Sequence, residues 1–105
     1  MLYELRTYYY APGKADALNR RMADHTVALF ARHGIEVVGF WEPQDASKLV
    51  YLVRFPGPEQ REEAWKRFQA DPEWKSIKAE SEKDGPLFVS QDSTLLWPTP
   101  YSPLK

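Results

Sequence analysis

LVYLVRFPGPEQREEAWKRF, residues 49–68, decides the fold. In its first seven residues Leu49, Tyr51, Val53 and Phe55 alternate with Val50, Leu52 and Arg54, the period of two of a β-strand, and the types are mostly β-branched, aromatic or aliphatic. After Phe55 the period changes. Pro58 suits the first turn of a helix, Glu59, Glu62 and Glu63 favour the positive end of its dipole, and Ala64, Trp65 and Phe68 form its inner face. A strand that passes straight into a helix with bulky inner residues describes a sheet covered by helices.

Working downstream, Asp71 and Pro72 interrupt this helix. Asp71 accepts hydrogen bonds from the free amides of a new helix, Pro72 is preorganised for its first position, and the residue before a proline is pushed out of helical geometry. One helix stops and a shorter one starts, with Trp74 and Ile77 on its apolar side. An indole buried between helix and sheet outweighs the capping turn that precedes it. EKDGP (82–86) ends the short helix, and LFVSQDSTLLW (87–97) reads as a last strand. The tail PTPYSPLK (98–105) has three prolines in eight residues and cannot continue a sheet interior, so it is expected to run extended over a surface.

Upstream, IEVVGFW (35–41) is a strand that EPQDASK (42–48) connects to Leu49–Phe55 as an antiparallel hairpin. Before it, Leu18, Met22, His25 and Leu29 recur at intervals of three and four, the stripe of a helix packed on a sheet. That helix ends at RHG (32–34), where Gly34 takes the left-handed position and Arg32 and His33 sit at the dipole's negative end. Residues 2–10 form the first strand: Tyr3, Leu5, Thr7 and Tyr9 point one way, and Leu2, Glu4, Arg6, Tyr8 and Tyr10 the other. The order is strand, helix, strand, strand, helix, strand, an α+β chain of ferredoxin-like βαββαβ topology with a four-stranded antiparallel sheet in the order 4-1-3-2. Residues 1–97 make one domain and 98–105 a proline-rich tail. Both faces of the sheet carry apolar residues, and one set of helices covers only one face, which predicts a homodimer in which two sheets meet face to face.

The totals narrow the function. A chain of 105 residues holds one core, and 43% hydrophobic with 28% charged residues is ordinary for a soluble protein. Net charge is −1 with both signs interspersed, so no nucleic-acid partner is expected. There is no cysteine, which excludes disulfides and thiol chemistry. With no apolar run near the ~20 residues of a membrane span and no signal-like start, the expected location is cytoplasmic.

Three strands of residues bear on chemistry. His25, on the buried stripe, is a candidate catalytic proton-transfer group, against the alternative of a core histidine with satisfied nitrogens. His33 reads as a helix cap. Eight residues separate the two histidines, about 12 Å along a helix, too far to share one metal, and no metal site is expected. Arg6 and Arg54, on strands expected to be adjacent and near Glu4, are candidates for holding an anionic or enolic oxygen, the alternative being a structural ion pair. Tyr8, Tyr10, Phe40, Trp41, Trp65 and Trp74 are candidate ligand-binding residues around one cleft, suited to a flat apolar molecule, although such spacing also describes a core. Gln91 and Asp92 on the last strand can add polar contacts. A phosphate loop and a Gly-x-Ser-x-Gly elbow are both missing, and no cofactor is expected.

YELRTYYYAPGKADAL (3–18), HGIEVVGFW (33–41) and EEAWKRFQADPEW (62–74) together resemble the NIPSNAP family, whose members share an ELRTY first strand, a following Pro-Gly, a helix ending in His-Gly, a Gly-x-Trp second strand and an Asp-Pro-Glu-Trp segment. The resemblance spans roughly residues 3–97 and implies a dimeric α/β barrel. Eukaryotic members, linked to mitochondria and vesicle traffic, carry targeting segments that have no counterpart here. The wider group of dimeric α/β barrels includes cofactor-free mono-oxygenases acting on aromatic polyketides, lactone isomerases, haem enzymes and ligand-binding regulatory domains. The fold that the resemblance implies does not choose among these; the aromatic cleft with one buried histidine suggests a small cofactor-free oxygenase or isomerase, against a non-catalytic module that binds a ligand or a protein, or a haem protein with His25 on the iron.

Overall fold

The structure, a computed structural model, describes residues 1–105. Strand β1 (Leu2–Tyr10) leads into α1 (Ala15–Arg21), which continues through a π-helical turn (Met22–Thr26) into α2 (Val27–Arg32). Strands β2 (Glu36–Trp41) and β3 (Lys48–Phe55) follow, then α3 (Pro58–Ala70), α4 (Pro72–Ser81) and β4 (Phe88–Leu96). The four strands form one antiparallel sheet in the order β2-β3-β1-β4, the topology expected from the sequence. It is a ferredoxin-like α+β fold.

Register explains which side chains meet. Opposite residues in an antiparallel pair share a face, and β1 sets Glu4 against Val53, Arg6 against Tyr51 and Tyr8 against Leu49. Leu49, Tyr51, Val53 and Phe55 are all buried, and they join Leu18, Met22, Leu29, Phe30, Ala64, Phe68 and Trp74 in the core beneath the helices. On β2 the register shifts between Val37 and Gly39, a bulge that bends the strand. Gly39 is needed there for a close approach: a Cβ on it would lie 2.7 Å from the indole of Trp41, which folds back over it.

Two helix boundaries follow the chemistry of the sequence. At the end of α2, Gly34 takes φ of +78°, and the Ile35 amide returns to the Phe30 carbonyl at 2.9 Å. Asp71 has extended backbone and its side chain accepts from the Glu73 amide at 2.9 Å, so α3 ends and α4 begins as the Asp-Pro pair dictates. His33 is the last residue of the α2 turn, and its ring also reaches Asp71, Nε2 to Oδ2 at 2.7 Å, tying that end to the start of α4.

The first helix departs from expectation. His25 is exposed and does not lie on the buried stripe. A π-turn takes up more residues than an α-turn, so the phase of the stripe slips by one position, and Thr26 is buried in its place at 2% exposure. The Thr26 hydroxyl donates to the Arg21 carbonyl five residues back, at 3.3 Å, which helps close the widened turn. The tail also differs from a plain extended run. It turns at Thr99–Ser102 and lies against the sheet face opposite the helices, where the Tyr3 hydroxyl donates to the Lys105 carbonyl at 2.8 Å. No helix is long and apolar enough to cross a membrane.

Candidate functional site

The site begins with one carboxylate. Glu4 belongs to the helix-facing side of β1, where its neighbours on β3 are apolar, and its side chain is wholly buried. Such a charge persists only if it is fully bonded. Arg61, Trp65 and Ser93 arrive from α3 and β4, and Arg6 from the same strand. Oε1 accepts from Arg61 Nε and Trp65 Nε1, both at 2.8 Å. Oε2 accepts from Arg6 Nη1 at 2.9 Å, Ser93 Oγ at 2.6 Å and Arg61 Nη2 at 3.2 Å. Burial by itself would raise the pKa of Glu4, but the bonds from Arg61, Ser93, Trp65 and Arg6 outweigh it and hold the carboxyl at about 2. With every lone pair engaged, Glu4 is an anchor and a poor base.

Arg6 is the next shell outward. Its Nε donates to the Tyr51 hydroxyl at 2.7 Å, and its Nη2 to Gln91 Oε1 at 3.1 Å and the Tyr8 hydroxyl at 3.3 Å. The guanidinium lies 4.5 Å from the centre of the Trp65 ring, a cation–π contact. Tyr8 and Tyr51 share a hydrogen bond of 2.8 Å between their hydroxyls. Burial raises the pKa of Tyr51 well above its ordinary value, and the adjacent Tyr8 adds to this against the opposing pull of Arg6. Burial also acts against the charge of Arg6, yet the Tyr51 and Tyr8 oxygens and Glu4 overcome it and raise the pKa, so Arg6 stays cationic.

Above this floor lies a crevice of about 120 Å³ between helices and sheet. Arg6, Tyr8 and Gln91 are on the sheet side, and Phe30, Trp65, Phe68 and Trp74 on the helix side. Phe68 and Trp74 pack at 4.6 Å between ring centres, and Tyr8 stacks on Phe88 at 4.4 Å. Trp74 is only 6% exposed, so the break at Asp71 serves to turn its indole inward, closing the end of the crevice. Its volume is on the scale of the ~150 Å³ apolar cavity that accommodates benzene.

The structure brings together four of the expected site residues, Arg6, Tyr8, Trp65 and Trp74, with Gln91 beside them. The others lie elsewhere. Arg54 pairs with Tyr3 across the sheet, one residue out of phase with Glu4, and so projects from the opposite face to bond Glu36 and the Tyr3 hydroxyl. Trp41 is on that face as well and is 54% exposed, because the bulge puts Phe40 toward the core, where it stacks on Tyr51 at 4.9 Å. Phe40 thus supports the site from behind. Tyr10 is at the far end of β1, bonded to Glu42 at 2.6 Å and Asn19 at 2.9 Å; burial and the Glu42 bond raise its pKa to about 12. Asp92 faces away from the helices and accepts from Tyr9. His25 lines a separate, wider surface groove with Arg20, Asp24 and Glu80. No three histidine, aspartate or glutamate side chains converge as a metal-holding group.

Arg61 and Arg21 were not singled out by the sequence reading. Both sit at helical spacing from core residues, Arg61 four before Trp65 and Arg21 three after Leu18, and that phase was the available signal. Arg21 is 5% exposed and its Nη1 bonds Glu82 at 2.9 Å and Ser81 at 3.1 Å.

Fold and crevice define a ferredoxin-like domain with a polar-floored pocket under its helices. The NIPSNAP family profile matches residues 3–103, and the chain belongs to that family. Among solved structures, it resembles a NIPSNAP family protein of unknown function from Agrobacterium tumefaciens, with 27% identity and a TM-score of 0.86 over 100% of this chain and 94% of the other. An uncharacterised NIPSNAP domain protein from Burkholderia xenovorans aligns with a TM-score of 0.84 and 22% identity, over 98% and 99% of the two chains. A monooxygenase from Streptomyces coelicolor, solved in complex with nanaomycin D, shares the fold with a TM-score of 0.66 and 12% identity, over 93% and 87%. No curated protein gives a significant match.

Proposed function

We propose that this NIPSNAP protein is a homodimer that binds a small aromatic molecule in the crevice between its helices and sheet. The observation that carries this reading is the lining itself. Rings of Phe30, Phe68, Trp65 and Trp74 face a floor of fixed polar groups, Arg6, Tyr8 and Gln91, the combination by which pockets hold a flat apolar body and orient its polar end. Arg6, Tyr8, Trp65 and Trp74 are the ligand-binding residues of this reading. His25 and Arg54 have no part in it, being outside the crevice.

Binding comes first because the crevice offers anchors in place of a proton acceptor: Glu4 is saturated and Tyr51 is held protonated. Cofactor-free oxygenation or isomerisation is the second reading, favoured by the fold shared with the nanaomycin-bound monooxygenase. It requires a substrate acidic enough to supply its own enolate or phenolate, which Arg6 would then stabilise.

The dimer reading rests on the other face of the sheet. Trp41 and Leu96 are 54% and 39% exposed there, beside half-buried Leu5, Val50 and Leu52. A second copy covers this face symmetrically, and a net charge of −1 opposes that association only weakly.

Titration with single-ring aromatics, followed through the indole resonances of Trp65 and Trp74, tests the binding site. Saturable shifts at both indoles are expected, lost in Tyr8→Ala; shifts confined to Trp41 or Trp97 would count against the crevice. Oxygen uptake with enolisable phenols decides the second reading. Sedimentation at micromolar protein is expected to give a dimer, and a monomer would refute the face-to-face assembly.

A further inference from the structure

We infer that the molecule taken by this crevice is an aromatic carboxylate, with its charged end at Arg21. The inference rests on the binding reading above and adds the chemical class of the ligand.

Arg21 is a buried cation with spare bonding capacity. Its Nη1 is committed to Glu82 and Ser81, but its Nε is buried and has no hydrogen-bond partner, alone among the buried side-chain nitrogens and oxygens of the chain. A buried donor left unsatisfied is unfavourable, and native proteins fill such positions with a partner. Arg6 differs, since its Nε, Nη1 and Nη2 all have partners. Arg21 forms part of the wall that separates the crevice from the outer groove, and its guanidinium stacks 5.0 Å from the centre of the Trp74 ring. Nε is itself covered, so a carboxylate would reach it by a shift of the Arg21 side chain and would then sit beside an aromatic wall already in place.

Charge points the same way. Arg6, Arg21 and Lys78 line the crevice, and no aspartate or glutamate does. Behind them, Glu4 answers both Arg6 and Arg61, and Glu82 answers both Arg21 and Lys78. Each carboxylate is shared by two cations, so these six groups keep a surplus of two positive charges, and with Arg20, Asp24 and Glu80 of the outer groove the balance stays positive by one. The space admits one ring, with apolar walls for it at Phe30, Phe68 and Trp74. A neutral ring would use the walls and leave Nε and the charge unanswered. A free inorganic anion would leave the rings unused.

Benzoate and its neutral isostere benzamide are the probes, titrated against the whole chain and read at the Trp65 and Trp74 indoles and by calorimetry. Benzoate is expected to bind about tenfold or more tightly than benzamide, the worth of a charge-assisted hydrogen bond. Arg21→Met should erase that preference while the ring still binds, and Lys78→Met, on an exposed helical position, should reduce it a few-fold. Equal binding of the two probes overturns the carboxylate assignment and leaves the crevice reading standing. So does a preference unchanged in a folded Arg21→Met. If neither probe moves the two indoles, both readings fall. Should Arg21→Met not fold, the ratio for the unaltered protein and the Lys78→Met result still decide the matter.

Discussion

The two faces of the sheet solve the same burial problem in opposite ways. On the helix side, β1 puts Glu4 and Arg6 into the interior, and five hydrogen bonds from four side chains converge on one carboxylate. On the other side the alternate side chains of β1, Tyr3, Leu5 and Thr7, share a surface with Leu52, Val50 and Leu96, of which the chain's own tail covers the part around Tyr3, Leu52 and Leu96. The first face is complete within one chain and highly specific, because directional bonds fix each partner. The second is apolar and unspecific, the surface that the proposed face-to-face dimer would cover. Arg6 and Arg54 make the contrast concrete. One arginine is a half-buried anchor between two tyrosines and a glutamate; the other, on the neighbouring strand, pairs at the rim with a half-exposed Glu36.

The largest effect is expected on the helix side. Glu4→Ala leaves Arg6 and Arg61 without a counter-charge, and removing one partner of a buried pair costs about 3–5 kcal/mol, read as a lower denaturant midpoint. A stability loss no larger than that of a surface substitution would break the comparison. Acid unfolding is next. Glu4 is depressed from 4.5 to about 2 in the folded chain, so the folded state holds fewer protons there than the unfolded one. That contribution is complete above pH 4.5 and disappears as pH falls toward 2. It amounts to about 2 kcal/mol once screening by solvent near the crevice is allowed for. Glu4→Gln should flatten the stability profile in that window.

The smallest effect on the fold belongs to the open face. Trp41→Asp and Leu96→Asp replace exposed side chains on the two outer strands and should leave the monomer's stability within about 0.5 kcal/mol, while a charge on the apolar face is expected to disperse the proposed dimer. Sedimentation and unfolding on the same samples separate the two outcomes. Arg54→Ala should likewise leave the unfolding midpoint almost unchanged, in contrast with Arg6→Ala.

Legibility differed between fold and site for a physical reason. The period-two runs, the Asp-Pro cap, Gly34 and the switch at Phe55 are local signals, and each produced its element within a residue or two of the expected limits. The candidate site depended on phase. Reading His25 as buried assumed an unbroken α-helix, and one π-turn turned it to solvent. Grouping Arg54 with Glu4 assumed only that their strands adjoin, and pairing with Tyr3 put it on the far face. Placing Phe40 and Trp41 in one cleft overlooked that neighbours on a strand point to opposite faces; pairing with Tyr51 and Val50 sends Phe40 to the core and Trp41 to the far face.

By itself, then, the sequence determined the order of strands and helices, where each begins and ends, and that β1 carries its charges on one face, because capping residues and hydrophobic period act within a few positions along the chain. Only the tertiary structure decided that Arg61, Trp65 and Ser93 close on Glu4, that Arg21 retains a free donor beside Trp74, and that His25 stays outside. Those outcomes depend on register and helix phase, where a shift of one residue reverses the direction of a side chain, and that shift is set by packing between segments far apart in the chain.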